Sequence, residues 1–210
     1  MDLVSISSFA TAGGTLVLAV STFSAVRSAN RAARTSERAL LANLRPVLVQ
    51  SRLDDPPQKM RWVDDHWALV AGSRAVVERV GDNVYLAVSV RNVGSGIGVI
   101  HGWFLYDDVA LGQEHADTGA FRMQSRDLYI PPDDAGFWQA AVRDIEDPQH
   151  AALVDIADQR RSFSVELLYG DHEGGQRTIT RFGIFAAPTD DAGWMAAAAR
   201  HWNLDRPDPR

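Results

Sequence analysis

The stretch Asn83-Val-Tyr-Leu-Ala-Val-Ser-Val-Arg-Asn92 decides the reading of the fold, because its side chains alternate. Val84, Leu86, Val88 and Val90 fall on one side and Tyr85, Ala87, Ser89 and Arg91 on the other, the period of two expected of a half-buried strand. Comparable runs lie on both sides of it, at 47–52, 75–79, 98–106, 121–129, 136–142, 162–169 and 176–185. Turn-rich stretches separate them: Val93-Gly-Ser-Gly96, Pro131-Pro-Asp-Asp-Ala-Gly136 and Gly170-Asp-His-Glu-Gly-Gly175. About eight short strands with few helices between them predict a mainly β fold, a β-sandwich. One helix is expected to interrupt, where Asp147 and Pro148 open a run with Ala151, Val154 and Ala157 before Arg160. A second short helix is expected over 190–203, where Asp190 and Asp191 offer caps and Trp194, Ala198 and Trp202 share a helical face.

The segment before the strands has a different character. From Val4 to Val26 there are 23 residues without a charge, which as a helix reach roughly 35 Å, enough for a ~30 Å hydrocarbon layer. Ser5, Ser7, Ser8, Thr11, Thr15, Ser21, Thr22 and Ser24 dilute its apolar content. Ile6, Phe9, Leu16, Val20 and Phe23 make a lipid-type side, and Ser8, Thr11, Thr15, Ala19 and Thr22 make a small-residue side suited to packing against another helix. Ala10-Thr11-Ala12 has the look of a signal-peptide cleavage site, but the apolar run continues past it and the segment before the run carries Asp2 instead of Lys or Arg.

Beyond Val26 the helical pattern continues to Leu44, and Pro46 stops it. Arg27, Arg31, Arg34 and Arg38 are spaced four, three and four apart, so their guanidinium groups share one face that can fix topology or lie near anionic headgroups. Five Arg follow the uncharged stretch and none precedes it, so the expected placement is the inner (cytoplasmic) membrane, N-terminus out and the following domain cytoplasmic. Three parts result: residues 1–45, a membrane span at about 4–26 with a basic stalk; residues 46–188, the β-sandwich; residues 189–210, a helix and tail.

Charge narrows the partners. The whole chain carries 21 Lys and Arg against 27 Asp and Glu, and residues 46–210 alone hold 16 basic against 25 acidic groups. A net of 16 − 25 = −9 on that body argues against a general nucleic-acid binder, which needs a basic surface to release phosphate counterions. There is no Cys, which excludes a disulfide-stapled module, a zinc ribbon, an iron–sulfur site and thiol catalysis.

An N-terminal span, a basic stalk ending in Arg45-Pro46-Val47, a strand closing in Asn92-Val-Gly-Ser-Gly96, the Pro131-Pro-Asp-Asp134 turn and the late Tyr169-Gly-Asp-His-Glu-Gly174 hairpin resemble membrane-anchored bacterial proteins with an immunoglobulin-like β-sandwich and no assigned activity. The resemblance covers nearly the whole chain. It implies an architecture and transfers no catalytic residue.

Motifs for chemistry are few. Gly94, Gly96 and Gly98 follow a strand but are followed by another strand-like run, where a phosphate loop needs a helix. Asp171-His172-Glu173 is the densest group of acid/base or metal-type residues, with His101 and His115 as candidate neighbours; adjacent hairpin positions point different ways, so one ion is not easily shared among them. No nucleophile elbow, H-E-x-x-H helix or singled-out carboxylate pair is present. Trp62, Trp67, Trp103 and Trp138 are aromatic anchor candidates, and Trp62 and Trp67, set among Asp64, Asp65 and His66, are the two expected outside. The expected function is therefore a protein-interaction or sensing module without catalysis and without cofactor or metal, with lipid and a protein as partners and a homo-oligomer through the stalk. The alternatives are a metal-assisted hydrolase built on the Asp171 hairpin and an extracytoplasmic ligand-binding domain.

Overall fold

The structure is a computed structural model that describes residues 3–187 and 193–205, with side chains described from Gly14 on. The chain forms two compact units, residues 1–43 and residues 44–210.

The first unit is one helix, α1 (Leu3–Asn43), of 41 residues and roughly 60 Å. It ends where the residue before Pro46 is pushed out of helical geometry. Every side chain from Gly14 to Asn43 is exposed, including Leu16, Leu18, Val20 and Phe23. Thr15, Ala19 and Thr22 sit on this exposed helix, as do Arg27, Arg31, Arg34 and Arg38. Among the described residues no helix is long and apolar enough to cross a membrane, so the span expected at about 4–26 is not found among them. The Arg residues from Arg27 on cut the apolar run short, and the side chains of residues 4–13, with Ser8 and Thr11, lie outside the described residues.

The second unit is mainly β. Its strands are β1 (Leu48–Gln50), β2 (Gln58–Arg61), β3 (Trp67–Val70), β4 (Arg74–Val80), β5 (Asn83–Asn92), β6 (Gly98–Tyr106), β7 (Arg122–Ile130), β8 (Ala135–Val142), β9 (Phe163–Asp171), β10 (Thr178–Ala186) and β11 (Trp194–Asn203). A helix α2 (His150–Gln159) lies between β8 and β9. Nine strands form one antiparallel sheet that curls into a half-barrel, and β2 and β3 form a separate hairpin. One wall is β8-β5-β4, with β1 beside the far end of β5; the other is β11-β10-β9-β6-β7. Only Trp194↔Ala75 and Met195↔Arg74 pair the two walls among the described residues, through β11 and β4.

The inner faces of both walls meet in a core that includes Leu86, Val88, Trp138, Phe163, Leu167 and Phe182, closed by Leu153 and Ile156 of α2. Of the helix positions expected to face inward, Val154 and Ala157 do pack on the core, whereas Ala151 is exposed and Leu153 and Ile156 are fully buried. The last residue of α2 is followed by Arg160 at φ 54, whose guanidinium lies over Trp194 at 5.5 Å and donates to the Gly193 carbonyl at 2.9 Å.

The outer faces are covered too, which alternation along β5 does not announce. Tyr85, Ala87 and Ser89 are as buried as Val84, Leu86 and Val88, because the β2–β3 hairpin lays Met60, Trp62 and Val70 over Tyr85 and Ala87, and Ser51 covers Ser89 with a hydroxyl hydrogen bond. On the other wall, Phe121, Leu168, Ile179 and Trp202 form a third cluster under the segment 107–121. That segment is fastened by a buried ion pair, Arg181 Nε to Glu166 Oε1 at 2.8 Å. The same guanidinium donates to the carbonyls of Gly112 and Glu114 at 2.7 and 2.6 Å, and Ala116 N–H donates to Glu166 Oε2 at 2.9 Å.

The expected C-terminal helix is a strand instead. Trp194 and Ala196 are buried in the core while Met195 and Ala197 are exposed, a period of two disguised by the Ala run, and β10 supplies the ladder. The register then slips, from Phe182↔Ala198 to Arg181↔Arg200, and this carries Trp202 to the third cluster on the outer face. The residues 189–192 that carry the capping argument lie outside the described residues. Since β11 belongs to the sheet, residues 193–205 are part of the β body and not an appendage.

Asn92 pins one corner. Its Oδ1 accepts from Val47 N–H (3.1 Å) and Gly94 N–H (2.9 Å), and its Nδ2 donates to the carbonyls of Gly96 (2.6 Å) and Ile130 (3.0 Å). Its backbone N–H donates to Asp134 and its carbonyl accepts from Asp133. Gly94 and Gly96 are required there by close approach, since a Cβ on Gly96 would meet the Leu44 carbonyl oxygen at 1.8 Å.

Both polar groups bear measurably on stability. Replacing Asn92 by Ala strands buried amides and carbonyls and is expected to cost about 3 kcal/mol in urea-induced unfolding. Arg181→Met leaves Glu166 buried without its partner; a loss of about 3–5 kcal/mol and faster amide exchange over 107–117 are expected, and unchanged exchange there would contradict the fastening role.

Candidate functional site

β7 and β8 are consecutive strands joined by the Pro131–Asp134 turn, yet they do not pair with each other: β7 pairs with β6 and β8 with β5. They start together at the corner held by Asn92 and end in opposite walls. Where they have diverged there is a groove of about 500 Å³, lined by Arg61, Trp62 and Val63, by Trp103 and residues 122–126, and by Gln139, Ala140, Ala141 and Arg143.

Four of those lining residues are Arg and none is acidic. Arg122 forms a bidentate pair with Asp147, with Nη2 to Oδ1 at 2.6 Å, and its guanidinium lies over the Trp103 ring at 5.2 Å. Arg143 donates to Asp64 Oδ2 at 2.7 Å, and Tyr85 OH donates to the same oxygen at 2.6 Å. Arg61 pairs with Asp65. Arg126 is exposed, and no hydrogen bond or ion pair links it to any described residue. The Arg143 guanidinium beside Asp64 holds that carboxyl far below the usual carboxylate range, and Arg122 lowers Asp147 in the same way. The acids paired with Arg61, Arg122 and Arg143 are not among the lining residues, so the charged side chains of the lining are all cationic.

β7 is irregular where it borders the groove. In its ladder with β6 the register passes from Ile100↔Leu128 to Gly102↔Met123, so residues 124–127 bulge out of the paired positions. Gln124 Nε2 reaches over to donate to the Gln139 carbonyl at 2.8 Å, while Gln139 Oε1 is buried with no partner.

Trp62, expected outside, is 4% exposed: its ring packs under the hairpin and its Nε1–H donates to the Ala140 carbonyl at 3.0 Å. It is a wall of the groove and not a free anchor. The alternation of β2 decides this, because Trp62 faces the sheet with Met60. Trp67 is 51% exposed, as expected, with Lys59 and Arg61 over its ring at 4.6 and 5.4 Å. Through Arg61 it adjoins the groove rim. Trp103 borders the groove, and Trp138 is fully buried against it with ring centroids 5.7 Å apart. Sequence reasoning misses Arg122, Arg126, Arg143 and Arg61, because single Arg residues in separate strands carry no motif; only the divergence of β7 from β8 gathers them.

The Asp171 hairpin is organised around its own turn. Asp171 is buried, and its Oδ1 accepts from Glu173 N–H at 3.0 Å and Gly175 N–H at 2.9 Å. His172 lies against Glu173, His101 packs on Gly170, and His115 is turned to Trp202. Among the described residues no group of three or more His, Asp and Glu could hold a metal ion.

Compared with known proteins, the chain matches no family model, no curated protein and no solved structure.

The carboxyls of Asp64 and Asp147, paired with Arg residues of the groove, predict an acid response. Their folded-state values lie below the unfolded value of about 3.9, so their pairs add stability above that pH and lose it as the pH falls below it. Thermal midpoints are expected to be level near pH 6 and to fall steeply from about pH 4 downward. In Asp147→Asn the fall should be shallower, with about 1 kcal/mol less stability at pH 7.

Proposed function

We propose that the chain is a non-catalytic protein-interaction module, and that the groove between β7 and β8 is where its partner docks. The observation that carries this reading is the concentration of four Arg and no acid around one groove of a body whose residues 46–210 total 16 basic against 25 acidic groups. Trp67, Arg61 and Val63 extend the same surface onto the β2–β3 hairpin, and an exposed Trp beside cationic side chains is a favourable anchor for a protein.

In this proposal α1 is the tether. The uncharged stretch 4–26 followed by five Arg supports an inner-membrane location with the N-terminus out and the β body at the cytoplasmic face, in the manner of the membrane-anchored immunoglobulin-like β-sandwich proteins that the chain resembles. The exposed small-residue side with Thr15, Ala19 and Thr22 supports side-by-side packing of several such helices.

The docking half is tested with a photo-crosslinking amino acid at Ser125, in the groove, and at Val80, outside it, in the full chain in its native membranes. Protein adducts at Ser125 and not at Val80 are expected; equal yields at both positions would overturn the docking site. The tether is tested by sedimentation: the full chain should pellet with membranes and resist an alkaline wash, and a reporter fused after Arg210 should be active only in the cytoplasm. Recovery in the supernatant without detergent would remove the tether and its sidedness together.

A further inference from the structure

The docking role leaves open what chemistry the groove accepts, and any inference about that chemistry rests on the docking role itself. Three features meet at one place. Arg126 is exposed and uncommitted, beside Arg122 and Arg143, whose paired acids are not among the groove-lining residues. The backbone is open on both sides: among the described residues β8 has β5 as its one ladder partner, and residues 124–127 of β7 bulge from theirs. Finally, the Gln124 amide donates to the Gln139 carbonyl across the gap, where the amide of a neighbouring strand would stand, and Gln139 Oε1 is buried and unpaired.

We propose that the groove takes an extended, acidic segment of a partner protein, added as a strand along the free edge of β8. Its backbone replaces Gln124 at the Gln139 carbonyl, a donor of the segment meets Gln139 Oε1, and its carboxylates face Arg126 and Arg122. The track along residues 139–143 is about 16 Å, room for about five extended residues. A nucleic acid is disfavoured on two counts: its phosphates would approach an acidic body, and its backbone has nothing to pair with a strand edge. The guanidinium groups alone attract any anion; the open edge is what selects a polypeptide.

The test uses the full chain in detergent and a fluorescein-labelled Asp-Val-Glu-Val-Asp-Val peptide, read by fluorescence anisotropy. Saturable binding is expected, weakened at least tenfold when alternate peptide amides are N-methylated and at least tenfold between 50 and 500 mM salt. Arg126→Glu, a change at an exposed and unpaired side chain that leaves the fold intact, should abolish it. Equal binding of a Lys-Val-Lys-Val-Lys-Val peptide, unchanged binding of the N-methylated peptide, or competition by millimolar inorganic phosphate or a single-stranded oligonucleotide at equal concentration would overturn the proposal. Failure here is distinguishable from failure of the docking role: crosslinks at Ser125 that persist in Arg126→Glu would refute the acidic strand and leave a docking site, whereas their absence in the unaltered chain would refute both.

Discussion

The carboxamide of Asn92 is the joint on which the β body depends. It is buried, its four side-chain hydrogen bonds go to Val47, Gly94, Gly96 and Ile130, and its own peptide groups hold the Asp133–Asp134 turn. Those partners belong to the entry into β1, to the β5–β6 turn and to the β7–β8 corner, so one side chain ties together the beginning of the body and both of its walls. A carboxamide suits this position because it offers donors and an acceptor at once; a carboxylate would accept and could not donate to the Gly96 and Ile130 carbonyls. Buried polar groups stabilise only when each is satisfied, and here the satisfied set also dictates which strands start together.

From that corner the geometry of the groove follows. Two strands that leave a common turn and then join different walls must separate, and a half-barrel joined elsewhere by only two residue pairs of β4 and β11 among the described residues has no other ladder to draw them back. The gap is bordered by Trp103 and Trp62 and flanked by Arg residues whose acids lie outside the lining. The arrangement is a charge-bearing rim on an apolar border.

Much of the fold is legible in the sequence. The long strand 83–92, its neighbours and α2 declare themselves because a pattern of alternation or a helical opening is strong enough to read locally. β2 and β3 do not, since a four-residue strand such as Gln58–Arg61, with Lys59 and Arg61 outward and only Met60 apolar, looks like a polar loop until the hairpin folds back onto Tyr85 and Ala87. β11 reads as a helix because a run of Ala fits either period and only the β10 ladder selects one. The groove is illegible for a different reason. Its Arg residues lie up to 82 positions apart, from Arg61 to Arg143, and nothing local says that they converge.

The pinned corner has a mechanical consequence. A strand of eight residues is about 25 Å long, and the ends away from the corner are held too: Val142 of β8 pairs with Val84 of β5, and Arg122 of β7 pairs with Trp103 of β6. The width of the gap is thus set from both ends, by the Asn92 amide at the corner and by the ladders that carry β7 and β8 into separate walls.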